Sequence, residues 1–174
     1  ADYDAADIAL AEERFARMSI EERDRLTANI IAGLPGSEES YTLETFRDRL
    51  ASYCGIGREE LFRNLQNFLE IVVPAAEEEG AVLAIHPDDP PRSLFGLPRI
   101  VGSLGDLQRI AGMNPSMANG FTVCSGSLGV SAGNNIPEII DALGERIHSA
   151  HLRATSREQD PRSFREDAHL EGDV

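Results

Sequence analysis

Three residues of types that bind transition metals follow three successive apolar segments of the sequence. The apolar segments are residues 81–85, 119–123 and 146–150. The metal-binding types that follow them are His86, Cys124 and His151. If the segments are neighbouring strands of one parallel sheet, their carboxyl ends lie about 5 Å apart. Imidazole nitrogen and thiolate sulfur bind the same ions. We therefore predict that the three side chains converge on one metal ion.

Each of these residues also has a simpler interpretation when taken alone. A single histidine after a strand is more often exposed or hydrogen-bonded than a metal ligand, and a single cysteine is most often a small buried apolar residue. The occurrence of all three types at equivalent positions favours the metal site. The other cysteine, Cys54, has no such context and is predicted to be a packed thiol.

The loops after these segments carry further polar residues. The segment after His86 contains three prolines and two carboxylates, and Asp88 or Asp89 is suited either to orient a histidine or to bind substrate hydroxyls. Residues 125–129 are too rich in glycine to continue a strand and are predicted to form a loop whose backbone amides contact an anion. Ser125 begins that loop and is a candidate substrate-binding residue.

Two residues near the end of the chain are candidates for direct contact with the substrate, through carboxylate binding or proton transfer. Arg153 lies two residues beyond His151, which returns its side chain to the same face of an extended strand, where a guanidinium suits a carboxylate. The alternative is that Arg153 pairs with a nearby acid such as Glu166 or Asp167. His169 and Asp88 are candidates for proton transfer.

The elements that must position these residues differ between the two halves of the chain. Residues 1–80 have helical periodicity, with helices predicted at 6–18, 20–31, 42–53 and 58–79, the last kinked or split at Pro74. Residues 81–174 have the βα rhythm, with helices at 103–111 and 136–143 and a polar tail from Thr155. We predict an α/β fold.

The composition excludes several classes of function. The formal charge is −14, and all the basic residues are arginine, so phosphate backbones and anionic lipid surfaces are repelled and no lysine is available for a Schiff base. Neither a nucleic-acid nor a membrane partner is expected. Two separated cysteines and the lack of a long apolar run indicate a cytoplasmic protein. Oligomeric state is left open, a homo-oligomer included.

The longer motifs of the sequence resemble the mannonate dehydratase family. The segments that carry the resemblance are AIHPDDPPR at 84–92, FGLPRIV at 95–101, ANGFTVCSGS at 118–127, HLR at 151–153, NIIAGLPG at 29–36 and AHLEGDV at 168–174. The resemblance spans nearly the whole chain.

The resemblance implies a hydro-lyase that converts the sugar acid D-mannonate to 2-dehydro-3-deoxy-D-gluconate in hexuronate catabolism, with Mn²⁺ or Fe²⁺. It also implies that the chain is part of a (β/α)8 TIM-type barrel of the xylose-isomerase-like group, with a helical insertion in the N-terminal half. His86, Cys124 and His151 match the family's metal ligands. The thiolate is the reason to rank Fe²⁺ equally with Mn²⁺.

The sequence departs from the family pattern at two points. The family's fourth ligand is an aspartate in an Arg-Pro-Asp-His-Gly motif after the Gly-Asp-Val region, and that motif does not occur here. Arg165 stands where the family commonly has a histidine, so no role of that histidine is carried over. Since a closed barrel needs eight strands, we expect the flanking parts of the enzyme to lie outside these residues.

Two alternative functions stay open at this point. A metal-dependent sugar isomerase on the same fold uses similar strand-end ligands, although Cys124 and the lack of lysine favour the dehydratase. A non-catalytic acidic helical interaction module accounts for residues 1–80 but leaves the three strand-end residues without a role. The helical half either covers the active site, forms a subunit contact or packs on the barrel exterior.

Overall fold

The computed structural model of the chain describes residues 3–32, 42–159 and 163–174. The chain forms two compact units. The first comprises Ala1–Ile56 with Leu94–Leu97, and the second comprises Gly57–Ser93 with Pro98–Val174. Residues 33–36, which belong to one of the family-like segments, lie outside the described residues. In the described part of the chain, no helix is both long and apolar enough to cross a membrane.

The first unit is helical, as its sequence predicts. Its helices are α1 (Ala5–Arg17), α2 (Ile20–Ala32) and α3 (Leu43–Ser52). Ser19 and Glu22 cap the start of α2 reciprocally, because the Ser19 hydroxyl accepts from the Glu22 amide at 3.2 Å and the Glu22 carboxylate accepts from the Ser19 amide at 2.8 Å. None of the residues in these three helices is buried.

In its described residues, the second unit contains the parallel sheet, four α-helices and a short 3-10 helix at Gly144–Arg146. The helices are α4 (Arg58–Glu78), α5 (Leu104–Met113), the single-turn α6 (Ser125–Gly129) and α7 (Ile136–Leu143). The parallel strands are β1 (Leu83–Ile85), β2 (Asn119–Cys124) and β3 (Ile147–His151). Helix α4 continues through Pro74, so the predicted split does not occur. The predicted loop at 125–129 is also wrong, since these residues form α6.

The strand β2 lies at the centre of the sheet, between β1 and β3. Both of its pairings are parallel, and Cys124 stands directly opposite His151 in the register. All six residues of β2 are buried. Its two polar side chains are hydrogen-bonded, since Asn119 donates to the Ile110 carbonyl at 3.2 Å and the Thr122 hydroxyl donates to the Ala84 carbonyl at 3.1 Å. The core around it combines Phe121 with residues of the helices, among them Leu69, Leu107 and Ile139.

Arg146 fixes the point at which β2 begins. Its guanidinium donates to the backbone carbonyls of Ala111 at 2.8 Å, Asn114 at 2.9 Å and Asn119 at 2.9 Å. Partial burial lowers the pKa of this guanidinium. These bonds tie the end of α5 and the following turn to the first residue of β2, so that the strand ends with Cys124 at a defined place.

The polar tail predicted from Thr155 is wrong. Residues after β3 form an antiparallel hairpin of β4 (Ala154–Arg157) and β5 (Phe164–Asp167). Thr155 is completely buried, and the backbone of Gly172 approaches it so closely that a Cβ at Gly172 would lie 2.7 Å from the Thr155 carbonyl oxygen. The start of this strand is therefore buried by residues distant in the sequence, namely α6 and Gly172, which a polar sequence does not reveal.

The packed thiol predicted at Cys54 is also wrong. Cys54 follows α3 in the first unit, and its thiol is free and exposed instead of packed. Because Cys54 lies in the other unit, its substitution serves as a control for substitutions at Cys124.

Replacing Gly120 by alanine is expected to lower the free energy of unfolding by about 1–3 kcal/mol, because the core there is already filled. A Cβ at this position would lie 2.0 Å from Cδ2 of His148 and 2.6 Å from the backbone oxygen of Arg146. Gly112 in α5 is the matched control, since nothing lies within 4 Å of the point that a Cβ would occupy there. At that position alanine is expected to raise stability by about 0.5–1 kcal/mol. Thermal or denaturant unfolding measures both changes, and equal effects would contradict the close approach at Gly120.

Candidate metal centre

His86, Cys124 and His151 converge at the carboxyl edge of the sheet. Each offers one ligand atom, and the three atoms all lie within 4.8 Å of one another. Cys124 and His151 end adjacent strands, and His86 directly follows the third. The predicted proximity of the three side chains is therefore confirmed, and their binding of a metal ion stays a prediction. Cys124 is buried while the two histidines are exposed, so the centre has a closed side and an open side.

The two histidines face each other through their ring nitrogens. Nε2 of His86 lies 3.0 Å from Nδ1 of His151. Nδ1 of His86 lies 2.7 Å from the Pro87 carbonyl oxygen, and because a carbonyl only accepts, this nitrogen carries the hydrogen. Its Nε2 therefore presents a lone pair toward His151. A backbone carbonyl that fixes the ring in this way is a common partner of a metal-binding histidine.

Cys124 has hydrogen-bond donors around its sulfur. The Ser127 hydroxyl lies 3.2 Å and the Ser127 amide 3.5 Å from Sγ, at the start of α6. Nη1 of Arg153 lies 3.9 Å away. Metals bind the thiolate form of cysteine, and donors of this kind stabilise a negative sulfur. Two imidazoles and a thiolate with these supports fit a divalent transition-metal ion.

Arg153 lies beside the centre, as predicted, but it is already paired. One guanidinium nitrogen donates to the Asp89 carboxylate at 2.5 Å, and the other donates to Glu166 of β5. Hydrogen bonds from Arg153 to Glu166 and Asp89 raise the pKa of its guanidinium, so the group stays charged. Gly126 makes room for this side chain, because a Cβ there would lie 2.6 Å from the Cβ of Arg153.

Asp88 and Ser125 are both engaged with backbone groups. The Asp88 carboxylate accepts from the amides of Ile100 at 2.9 Å and Val101 at 2.8 Å. The Ser125 hydroxyl donates to the Arg153 carbonyl at 2.6 Å and accepts from the Arg153 amide at 3.0 Å. In these contacts Asp88 holds the loop after β1, and Ser125 holds the chain between β3 and β4. Their predicted contacts with substrate stay predictions.

His169 lies near the end of the strand that carries His151. Its Nε2 donates to the carbonyl of Leu152 at 2.9 Å, which leaves Nδ1 as the ring atom able to accept a proton. The ring is exposed. Its predicted part in proton transfer stays a prediction.

Sequence reasoning misses two features that support the centre. Ser127 is not among the predicted site residues, because residues 125–129 are predicted as a loop and not as a helix whose N-cap is Cys124. The neighbouring sequence also does not show that position 126 must be glycine to leave space for Arg153, because that requirement depends on where the hairpin places Arg153. The pairing of Arg153 with Glu166 is predicted only as an alternative, and its simultaneous contact with Asp89 is not predicted.

The fold and the three converging side chains together define a class: an α/β protein with a candidate metal-binding group at the carboxyl edge of a parallel sheet. The family model described as D-mannonate dehydratase (UxuA) matches residues 4–174. The chain therefore belongs to the mannonate dehydratase family.

Individual relatives agree with this assignment. The chain is 53% identical over 174 residues to a mannonate dehydratase of Chromohalobacter salexigens and 49% identical over 173 residues to one of a Marinomonas species, covering 100% and 99% of this chain and 44% of each relative. The crystal structure of mannonate dehydratase from Streptococcus suis serotype 2 matches with a TM-score of 0.65 and 36% identity, over 68% of this chain and 34% of that chain. The chain thus spans less than half the length of these relatives.

Proposed function

We propose that the enzyme containing this chain dehydrates D-mannonate to 2-dehydro-3-deoxy-D-gluconate at a centre held by His86, Cys124 and His151. The observation that carries the proposal is the convergence of these three ligand atoms within 4.8 Å in a chain of the mannonate dehydratase family. The proposed fold places the three parallel strands in a (β/α)8 barrel, whose active sites lie at the carboxyl edge of the strands. The proposed enzyme is cytoplasmic.

The proposed ion is Mn²⁺ or Fe²⁺. A divalent ion, when bound, stabilises the negative charge that develops next to the substrate carboxylate as the proton at C2 is removed, which contributes several kcal/mol. The thiolate of Cys124 supports Fe²⁺, since sulfur ligands favour softer ions than carboxylates do. The donor groups of Ser127 hold the sulfur in place within the buried side of the centre.

The chain's own residues bind the substrate and handle protons. Arg153 binds the substrate carboxylate, since its guanidinium lies at the centre and matches a carboxylate in geometry. His169 uses Nδ1 to accept or deliver a proton, because its Nε2 is held by the Leu152 carbonyl. Loss of the C3 hydroxyl as water requires a proton, so an acid must act there as well as a base at C2.

Turnover of D-mannonate is expected to depend fully on a divalent ion. The enzyme is treated with a chelator, and formation of the 2-keto acid is then measured before and after Mn²⁺ or Fe²⁺ is restored. We expect activity to disappear with chelation and to return with the ion. D-Gluconate, which differs from D-mannonate only at C2, is the control substrate. Formation of the 2-keto acid at an unchanged rate in chelator would contradict a metal-dependent reaction.

A further inference from the structure

Arg153 contacts two carboxylates, although one would balance its charge. Its single positive charge is shared by Asp89 and Glu166, each of which accepts from a different guanidinium nitrogen. The three groups together carry a net charge of −1. An anionic substrate that approaches Arg153 therefore meets a guanidinium with a donor on each terminal nitrogen already engaged, and it competes with the two carboxylates for the single positive charge.

The two carboxylates differ in how firmly they are held. Asp89 belongs to the proline-rich loop after β1, and its neighbour Asp88 anchors that loop through three backbone bonds to residues 100–101, including its own amide to the Val101 carbonyl at 2.9 Å. Prolines at 87, 90 and 91 further restrict the backbone. The backbone that carries Asp89 is therefore restrained on both sides.

Glu166 is held more weakly. It lies on β5, which pairs only with β4 in a two-stranded sheet among the described residues, and such a hairpin gains little stability by itself. The Glu166 side chain is 60% exposed, against 35% for Asp89. Its longer side chain also has one more rotatable bond. An exposed ion pair of this kind contributes little to stability, so replacing Glu166 by another carboxylate costs little free energy.

We propose that Glu166 is a place-holder for the substrate carboxylate: it occupies one side of Arg153 until D-mannonate replaces it, while Asp89 stays bound and keeps the guanidinium oriented. This inference rests on the proposed function. It assigns opposite roles to two carboxylates that contact the same arginine. Asp89 acts as a positioning residue, and Glu166 acts as an internal competitor of the substrate.

The test compares Glu166→Gln with Asp89→Asn in the metal-loaded enzyme. Each substitution removes one negative charge and keeps the shape of the side chain. For Glu166→Gln we expect KM for D-mannonate to fall about two- to fivefold, the range that corresponds to an exposed ion pair, with kcat little changed. For Asp89→Asn we expect KM to rise about three- to tenfold, because a charge-assisted bond that orients the guanidinium is lost.

Asp167→Asn is the control on the same strand. The Asp167 carboxylate accepts from Ser156 at 2.6 Å and from Arg165 at 3.2 Å and does not contact Arg153. This variant removes the same charge and perturbs the same hairpin, and its KM is expected to stay within about twofold of wild type. If KM falls equally in all three variants, general repulsion of the anionic substrate is the cause and the inference is overturned. An unchanged or higher KM in Glu166→Gln overturns it as well.

A calorimetric titration with D-mannonate separates this inference from the proposed function, because it needs no turnover. We expect the dissociation constant to increase in the order Glu166→Gln, wild type, Asp89→Asn. That order supports the place-holder even if no 2-keto acid forms, in which case only the proposed reaction fails. Turnover by wild type without that order overturns the place-holder and leaves the proposed function standing. A lack of binding by every variant overturns both.

Discussion

Replacing Cys124 by alanine is expected to remove the bound ion and to lower kcat/KM for D-mannonate by about 10³-fold or more. The sulfur is one of three converging ligand atoms and the one on the buried side of the centre. A divalent ion supplies several kcal/mol to a reaction of this type, and each 1.36 kcal/mol corresponds to a factor of about ten in rate. Metal analysis of the purified enzyme and steady-state kinetics measure the two effects.

The matched control for this variant is Cys54→Ala. Cys54 is the other free cysteine, and it is exposed in the helical unit. Its loss is expected to change neither metal content nor kcat/KM. A stoichiometric ion retained by Cys124→Ala would contradict the proposed centre.

Unfolding temperatures separate metal loss from simple misfolding. Alanine at position 124 also removes the acceptor of the Ser127 hydroxyl, so some loss of stability is expected in the metal-free protein. A ligand that binds only the folded state raises its unfolding temperature. Wild type is therefore expected to gain stability when Mn²⁺ or Fe²⁺ is added, and Cys124→Ala is expected to gain little even though it is folded.

The convergence of the three candidate ligands is predictable because these residues are tied to strong local signals. The strand β2 is a buried segment that ends where a glycine-rich sequence begins, and this pattern places Cys124 at the strand terminus. The predicted strand ends lie within one residue of the observed ends of β1, β2 and β3. Parallel pairing then brings those ends to one edge of the sheet without any further information.

The surroundings of Arg153 are not predictable to the same degree. The hairpin that carries Glu166 has no clear alternation of apolar and polar residues, and β4 is buried through contacts with distant parts of the chain. Asp88 shows the same limit. Its charge and position after β1 suggest a substrate contact, but backbone amides some twelve residues later lie against its carboxylate. Contacts of this kind join residues that are far apart in the sequence, so they depend on the tertiary structure and have no signal in the local sequence.

Replacing Arg153 by lysine is expected to lower kcat/KM for D-mannonate by about 10- to 100-fold while the enzyme stays folded. Lysine keeps the positive charge but loses the planar pair of donors that a carboxylate accepts from. A single ammonium also cannot hold Asp89 in the fixed geometry that the guanidinium nitrogens provide, so the remaining charge is poorly oriented. Steady-state kinetics and thermal unfolding are measured on the same preparation.

Arg109→Lys is the matched control, because Arg109 makes a similar two-point contact with a carboxylate. Its guanidinium donates to the two Glu59 oxygens at 2.8 and 2.7 Å, on a surface that contains none of the proposed metal ligands. If Arg153 is only a structural partner of Asp89 and Glu166, both lysine variants lower the unfolding temperature slightly and leave kcat/KM near normal. If Arg153 binds the substrate carboxylate, kcat/KM falls in Arg153→Lys alone, since only that guanidinium lies beside Cys124 at the carboxyl edge of the sheet. A normal kcat/KM with a lowered unfolding temperature in Arg153→Lys would therefore remove the substrate role and leave the arginine as a support of the hairpin.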